Sequence, residues 1–150
     1  MRFFPLAYLS ILLFFPSCKR DRNSNDIYRP ENYFRVSTAR DSTVNMYVIF
    51  KSKIYPNRLM YKFYWGNGNI QGISYFINGV NDGPWSTYFD NGSITFEGSF
   101  LNGKKNGIHK LYFPNGKISR IENYKMGTKV GVWQYYDSTG AISNTKNYSD

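Results

Sequence analysis

The chain has 150 residues with 19% aromatic content, and its 19 Lys and Arg residues against 10 Asp and Glu give a formal net charge of +9. This length fits one domain, and the abundance of Tyr, Phe, Ile, Asn and Gly favours strands and tight turns. The basic residues form no single long stripe, which argues against a nucleic-acid partner, and the lone cysteine excludes an intramolecular disulfide.

The segment 1–17 has the pattern of a secretory signal peptide. Arg2 precedes an apolar run over 3–15, and a run of about 13 residues is too short to span a bilayer comfortably. Ser17 and Cys18 follow, an arrangement that resembles a bacterial lipobox with cleavage before Cys18 and lipid on its sulfur. The two positions before Ser17 hold Phe-Pro instead of the usual Leu and small residue. The alternative is an ordinary signal peptide in which Cys18 is incidental.

Polar and charged residues without periodicity follow the cysteine. We predict a tether over residues 18–43 and a folded domain over 44–150. Removal of the signal peptide takes away Arg2, so that 18 basic residues against 10 acidic ones leave a net charge of +8. Lipid on Cys18 predicts a membrane-anchored lipoprotein of the bacterial cell envelope, either periplasmic or exposed at the surface.

A 24-residue period organises the rest of the chain. Several columns recur at this interval: Gly68, Gly92, Gly116 and Gly140; Tyr64, Tyr88, Tyr112 and Tyr136; Ile70, Ile94, Ile118 and Ile142; and Tyr61, Trp85, His109 and Trp133. Such self-similarity is typical of repeat architectures, in which each unit buries its apolar surface against its neighbours.

Each repeat is predicted to be a two-stranded hairpin. Asn91-Gly92 stands between a short aromatic run at 85–89 and a longer run at 94–100, and both residue types tolerate the positive φ of a hairpin turn. A second turn framed by glycines leads to the next repeat. Earlier strands are expected at 44–51 and 59–65. We therefore predict an all-β fold, a single elongated antiparallel β-meander built of 24-residue hairpin repeats.

One motif runs through the repeats. Its clearest copy comprises Gly83-Pro-Trp85, Tyr88, Asn91-Gly92, Ile94, Phe100 and Asn102-Gly103-Lys104, and further copies begin at Gly107 and Gly131. The motif resembles the bacterial MORN-type repeat variant over about residues 59–150. Proteins built of this variant are often labelled YwqK-family antitoxins, so the resemblance implies an elongated β-meander and, less directly, an antitoxin role. His109 in the Trp column and Ser138-Thr139-Gly140 in place of Asn-Gly depart from the pattern.

The sequence does not indicate an enzyme. His109 is the single histidine, and its column otherwise holds Trp or Tyr, which predicts a stacked structural role rather than a catalytic base. A zinc site needs clustered Cys and His, which the chain lacks. The carboxylates do not share one column and are expected in turns and on the surface: Asp82, Asp90, Glu97, Glu122 and Asp137. We predict no catalytic residue, no metal site and no cofactor.

Side chains alternate between the two faces of a strand, which separates two aromatic columns. The more apolar face, here called the Trp face, is predicted to be the packed side and carries Tyr61, Trp85, His109 and Trp133. The opposite Tyr face carries a ladder among Ser, Lys and Gln side chains: Tyr64, Tyr88, Tyr112 and Tyr136. This ladder is the candidate binding face for an extended partner. The alternative is that its stacking only stabilises the sheet.

Two classes of function remain open. The first is an envelope-anchored protein-binding scaffold, including an immunity or antitoxin version. The second is a carbohydrate- or peptidoglycan-binding module that uses the aromatic ladder. The first is favoured because the columns follow the structural repeat and the sequence reveals no isolated pocket of convergent polar groups.

Overall fold

The computed structural model describes residues 28–40 and 46–149. The predicted signal peptide at 1–17, the anchor residue Cys18 and the tether up to residue 27 lie outside the described residues. A short 3-10 helix, Pro30–Asn32, precedes the strands. These are β1 (Tyr33–Arg40), β2 (Met46–Ser52), β3 (Arg58–Tyr64), β4 (Ile70–Ile77), β5 (Val80–Tyr88), β6 (Ile94–Leu101), β7 (Lys104–Lys105), β8 (Gly107–Tyr112), β9 (Ile118–Lys125), β10 (Thr128–Lys129), β11 (Gly131–Tyr136) and β12 (Ile142–Tyr148).

All twelve described strands belong to one antiparallel sheet. Its order follows the chain from β1 to β12, while the two-residue strands β7 and β10 pair beside this path with β6 and β9. Each strand therefore pairs with its neighbour in sequence, as expected when short hairpins follow one another. The predicted all-β antiparallel meander of hairpin repeats is confirmed.

Strand β1 lies inside the predicted tether, so that prediction is corrected for residues 33–40. β1 pairs with β2 from Tyr33, opposite Ser52, to Arg40, opposite Met46. The physical reason is burial, because the Tyr33 side chain is only 6% exposed and packs in the apolar core. The sequence did not predict this strand, because the segment is polar and belongs to none of the 24-residue columns.

Two kinds of turn alternate along the sheet. Asn102-Gly103 joins β6 to β7 with φ of 49° and 77°, the pair of positive angles that a type I′ hairpin turn requires. The Asn102 N–H donates to Asp82 Oδ2 at 3.0 Å, so Asp82 supports this turn although its side chain is buried, at 8% exposed, and not on the surface as expected. At the opposite edge, Gly92 has φ of 85° and donates its N–H to the Phe89 carbonyl at 3.0 Å. The glycines of both turns recur in the neighbouring repeats, which keeps the hairpin lengths constant.

A β-bulge recurs in the four hairpins β3–β4, β5–β6, β8–β9 and β11–β12. The register shifts by one residue before each tyrosine of the ladder, and each tyrosine then pairs with an isoleucine of the following strand: Tyr64 with Ile70, Tyr88 with Ile94, Tyr112 with Ile118 and Tyr136 with Ile142. A bulge increases the local twist of a sheet. The aligned Tyr and Ile columns therefore mark a structural device that the sequence reading did not predict.

The buried apolar core is small and lies at the N-terminal end of the sheet. Met60 is 1% exposed and faces Tyr75, which is 7% exposed, in register across β3 and β4. Both belong to the Tyr face, since Met60 precedes Tyr61 in the strand. The Tyr75 hydroxyl donates to the Tyr28 carbonyl at 2.7 Å, which fixes the N-terminal segment over this core. The expectation that the Trp face is the packed side therefore needs correction at this end.

Candidate interaction surface

The Trp-face column forms a row across the sheet. Tyr61, Trp85, His109 and Trp133 stand on alternate strands, and the intervening strands supply partners in register: Ser74 between Tyr61 and Trp85, Gly98 opposite Trp85, Glu122 opposite His109 and Lys146 opposite Trp133. His109 and Trp133 are 0% and 2% exposed, whereas Tyr61 and Trp85 are half-buried. The row is therefore buried best in the C-terminal half.

A continuous series of tilted rings buries this half, and the strands of residues 28–40 and 46–149 all lie in the one sheet that carries these rings. Neighbouring ring centroids lie 4.9 to 5.9 Å apart, with interplanar angles of 53° to 58°, along the series Trp85, Phe100, His109, Tyr124, Trp133 and Tyr148. Aromatic side chains favour such tilted and edge-to-face packing because the positive edge of one ring meets the negative face of the next.

Three lysines lie over the C-terminal rings. Lys105 Nζ is 4.8 Å from the ring centroid of Tyr124, and Lys129 Nζ is 4.7 Å from that of Trp133. Lys129 Nζ and Lys146 Nζ are 5.4 and 5.1 Å from the Tyr148 centroid. We call this surface the lysine–aromatic strip: Lys105, Tyr124, Lys129, Trp133, Lys146 and Tyr148. It combines positive charge with the half-buried rings of Tyr124 and Tyr148 on one face, above the buried Trp133.

Register explains the position of the lysines. Lys105 in β7 pairs with Phe100, and Lys129 in β10 pairs with Tyr124, so both side chains point to the Trp face. The sequence reading treated these segments only as turns and missed the strip. The available signal was the spacing, because Lys105 and Lys129 are also separated by one repeat period.

A buried carboxylate lies beneath the strip. Glu122 is only 3% exposed, so the expectation of a turn or surface role for it is wrong. Its Oε1 is 2.7 Å from Arg120 Nε, and its Oε2 accepts a hydrogen bond from the Tyr124 hydroxyl at 3.0 Å. Burial, together with this hydrogen bond, raises the pKa of Tyr124 to about 12. Arg120 compensates the carboxylate, which leaves the lysines above it to attract other anions.

His109 is held as a packing residue. Its Nε2 lies 2.9 Å from the Ser99 carbonyl, which only accepts, so Nε2 carries the donated proton. Burial lowers the pKa of His109, which keeps the imidazole neutral. Nδ1 is buried without a hydrogen-bond partner. The ring is therefore enclosed between its neighbours and offers no accessible nitrogen to a ligand on the surface.

On the Tyr face, three of the four ladder hydroxyls are engaged within the sheet. Those of Tyr88 and Tyr136 each donate at 3.2 Å, to Ser86 Oγ and to Gln134 Oε1. Tyr112 donates to Glu97 Oε1 at 2.7 Å. Burial, followed by this contact, raises the pKa of Tyr112 to about 12. These tyrosines are half-buried, so their ring faces rather than their hydroxyls remain for a partner.

Glu97 also binds Lys110, whose Nζ lies 2.9 Å from the same Oε1. The hydrogen bonds from Lys110 and then from Tyr112 lower the pKa of Glu97. Two apolar residues on this face that do not belong to the ladder are exposed: Ile108 at 58% and Val132 at 47%. The Tyr face thus carries a compensated ion pair and scattered apolar groups.

The repeat frame that positions both faces matches a known family model. The model described as the MORN repeat variant matches residues 60–78, 81–102 and 105–126. These three segments are similar to MORN repeats. Each match covers most of one hairpin, and the hairpin of β11 and β12 continues the same columns beyond the last match. No curated protein is significantly similar to the chain.

MORN repeats generally mediate protein or membrane interactions, and the repeat is a non-enzymatic module. Within residues 28–40 and 46–149, His, Cys, Asp and Glu side chains form no group of three or more that could hold a metal ion. In the same part of the chain, no helix is long and apolar enough to cross a membrane. The described sheet presents two faces, and each carries its own set of aromatic and charged side chains.

Proposed function

We propose that the protein is an envelope-anchored interaction protein whose Trp face binds an extended acidic segment of a partner protein. The observation that carries this proposal is the lysine–aromatic strip, in which Lys105, Lys129 and Lys146 stand 4.7 to 5.4 Å from ring centroids. Acidic side chains of the partner pair with the ammonium groups, while its apolar side chains contact the ring edges between them.

The geometry of the strip favours an acidic protein segment over a lipid headgroup layer. The lysine side chains lie along the rings instead of extending from the sheet: Lys105 lies over Tyr124, and Lys129 and Lys146 both lie close to Tyr148. Lys105 and Lys129 are one repeat apart, which is two strands or about 10 Å across the sheet. An extended chain with acidic residues about 10 Å apart and apolar residues between them matches this spacing. A membrane surface is better served by protruding lysines, which reach headgroups without desolvating the rings.

Lipid on Cys18 would hold the strip at the cell envelope, which supports a partner located there. In the immunity version of the proposal, the acidic partner is a toxin that the strip occupies and neutralises. The carbohydrate alternative draws no support from the tyrosine ladder, because the hydroxyls of Tyr88, Tyr112 and Tyr136 already have partners.

Charge reversal with a matched control tests the proposal. The test variant carries Lys105→Glu and Lys129→Glu, and the control carries Lys104→Glu and Lys125→Glu. Each control lysine neighbours the same short hairpins but alternates to the other face, because Lys104 pairs with Leu101 and Lys125 pairs with Thr128. Both variants change the net charge equally. The probe is a synthetic peptide in which Glu occupies every third position and Leu the positions between, since three residues of an extended polyproline II chain span about 9 Å.

We expect the wild-type protein and the control to bind the peptide alike, with affinity that falls as salt rises. The test variant should bind about tenfold more weakly or worse, since two attractive contacts become repulsive. Equal losses in test and control would contradict a specific strip. Binding of anionic phosphatidylglycerol vesicles, without binding of the peptide, would replace the acidic protein segment by a membrane surface.

A further inference from the structure

A cavity of about 500 Å³ opens on the Trp face between the first two MORN hairpins. Five aromatic residues line it: Phe63, Trp65, Trp85, Tyr88 and Phe89. Gly72 lies at its base, in register between Phe63 and Thr87 on the neighbouring strands. This volume falls within the usual range for small-molecule sites, about 300 to 1,000 Å³.

The cavity exists because one column loses its side chain in the first repeat. The positions aligned with Gly72 are Phe96 and Arg120, one and two repeat periods further along the chain. The Phe96 ring packs 5.2 Å from that of Trp85, and Arg120 pairs with Glu122. Each of these side chains covers, in its own repeat, the surface that corresponds to the one left open at Gly72. The cavity is therefore a feature of one place in the sheet and does not follow from the repeat itself.

The walls of the cavity are fixed before any ligand arrives. Trp65 Nε1 donates to the Tyr88 carbonyl at 3.1 Å, which holds the indole in place. The side-chain amide of Asn69 donates to the Asp90 carbonyl at 2.7 Å and ties together the two turns beside the cavity. Trp85 is held by ring contacts at 5.2 Å to its neighbours. Preorganised walls lower the entropic cost of binding.

The lining is neutral and amphipathic. Its polar side chains include Gln71, Thr87 and Thr95, and no Asp, Glu, Lys, Arg or His is among the described residues that line it. The hydroxyls of Thr87 and Thr95 hydrogen-bond each other, which leaves one O–H and several lone pairs for a ligand beside the Gln71 amide. Fixed aromatic faces beside hydroxyl and amide groups suit a ring with apolar C–H faces and hydroxyls at its rim. The C–H bonds of such a face carry partial positive charge and are attracted to the negative face of an aromatic ring.

We propose that this cavity binds a pyranose ring of a neutral glycan. A charged sugar finds no opposite charge among the described lining residues, and a quaternary ammonium ligand finds no carboxylate there and meets a chain of net positive charge. A purely apolar ligand would leave the Gln71 amide without a partner when it displaced water, together with the one O–H that the hydrogen bond between Thr87 and Thr95 does not use. The lysines of the strip do not line this cavity, so the inference stands apart from the acidic-segment proposal.

The test is a titration of the protein with neutral oligosaccharides: the cello-, chito- and manno-oligosaccharides. Two of the three tryptophans line the cavity, and the third, Trp133, is buried in the other half of the sheet. At least one oligosaccharide should give a saturable change in tryptophan fluorescence, with a dissociation constant near or below about 1 mM. Calorimetry then gives the affinities of the variants.

The variants separate the cavity from general effects on the sheet. Trp65→Ala removes a wall, while Phe113→Ala removes the aromatic residue at the aligned position two repeats later, which does not line this cavity. We expect a loss of about tenfold or more for Trp65→Ala and a change within about twofold for Phe113→Ala. Gly72→Phe copies the residue found at position 96 and should abolish binding, provided that circular dichroism shows a folded sheet.

Three outcomes would overturn the inference. The first is the absence of saturable binding by any of the neutral oligosaccharides. The second is an equal loss of affinity in Trp65→Ala and Phe113→Ala. The third is that choline or an oligogalacturonate saturates the signal and the neutral oligosaccharides do not. The charge-reversed variant with Lys105→Glu and Lys129→Glu should bind the oligosaccharide as the wild type does, which keeps this test distinct from that of the strip.

Discussion

Gly98 faces the ring of His109 so closely that a Cβ at Gly98 would lie 2.8 Å from His109 Cγ and Nδ1. The two residues belong to β6 and β8, and the missing side chain lets the imidazole lie flat over the neighbouring strand. The φ of Gly98 is not among the positive ones, so this glycine is needed for space and not for its backbone angle. Its role resembles that of Ser74 beside Tyr61, where a small residue also faces a ring.

We therefore predict that Gly98→Ala destabilises the protein by about 1–3 kcal/mol, the usual cost of overpacking. The backbone accepts alanine there, so the whole cost should come from displacement of the His109 ring. Chemical denaturation of Gly98→Ala, His109→Ala and the double variant measures this coupling. If Gly98→Ala costs as much in the His109→Ala background as in the wild type, the two side chains are independent and the prediction is wrong.

His109 should make the stability depend on pH. Burial lowers the pKa of His109 from its ordinary value of 6.5, so the unfolded chain takes up a proton more readily than the folded one. The contribution of the neutral ring to stability is then complete above about pH 6.5 and is lost as the pH falls toward the lowered pKa of the folded state.

The measurement is the free energy of unfolding between about pH 7 and pH 5, where histidine titrates. Wild type should lose stability over this range, and His109→Phe, which keeps a ring but cannot be protonated, should lose less. Both proteins contain the same carboxylates, so the loss of stability caused by carboxylate protonation is common to the two curves. Parallel curves for the two proteins would contradict the role of His109.

The hairpins could be predicted from the sequence because the turns and columns repeat, and one unit explains the others. Strand β1 was missed because it belongs to no column, and its burial depends on Tyr28 and Tyr75, which are 47 positions apart in the chain. The bulge before each tyrosine was also missed, since period-2 alternation does not reveal one extra residue. These features are set by contacts between strands and not by local preference.

The candidate surfaces were predicted only in part. Both aromatic columns could be read from the repeat, but the contact between the lysines and the rings could not, because it depends on the register of the two-residue strands β7 and β10. The cavity forms because Gly72 has no side chain. A sequence motif is defined by the side chains that are present, so it does not indicate a space left by glycine. The available signal was the contrast among the aligned positions, which hold Phe at 96 and Arg at 120 but Gly at 72.

Burial predicts an order of stability losses along the aromatic columns. Trp133 is 2% exposed and donates its Nε1–H to the Asn123 carbonyl at 3.1 Å. Trp133→Ala should therefore cost about 3–5 kcal/mol. Trp85→Ala and Tyr136→Ala should each cost less, because both side chains are half-buried. Thermal unfolding with matched baselines ranks the three variants, and a Tyr136→Ala loss equal to that of Trp133→Ala would contradict the assignment of the better-packed face.

The anchor prediction concerns Cys18, on which the envelope location in the proposed function depends. If the cysteine carries lipid, the attached acyl chains should hold the protein in the membrane fraction, since two chains are enough for stable attachment. Cys18→Ser should then move the protein to the soluble fraction, while Ser17→Ala, which keeps a small residue before the cysteine, should leave it attached. Metabolic labelling with a clickable fatty acid reads the modification directly. A wild-type protein that takes up no label would remove the lipid anchor, and the lysine–aromatic strip would then need a partner away from the membrane surface.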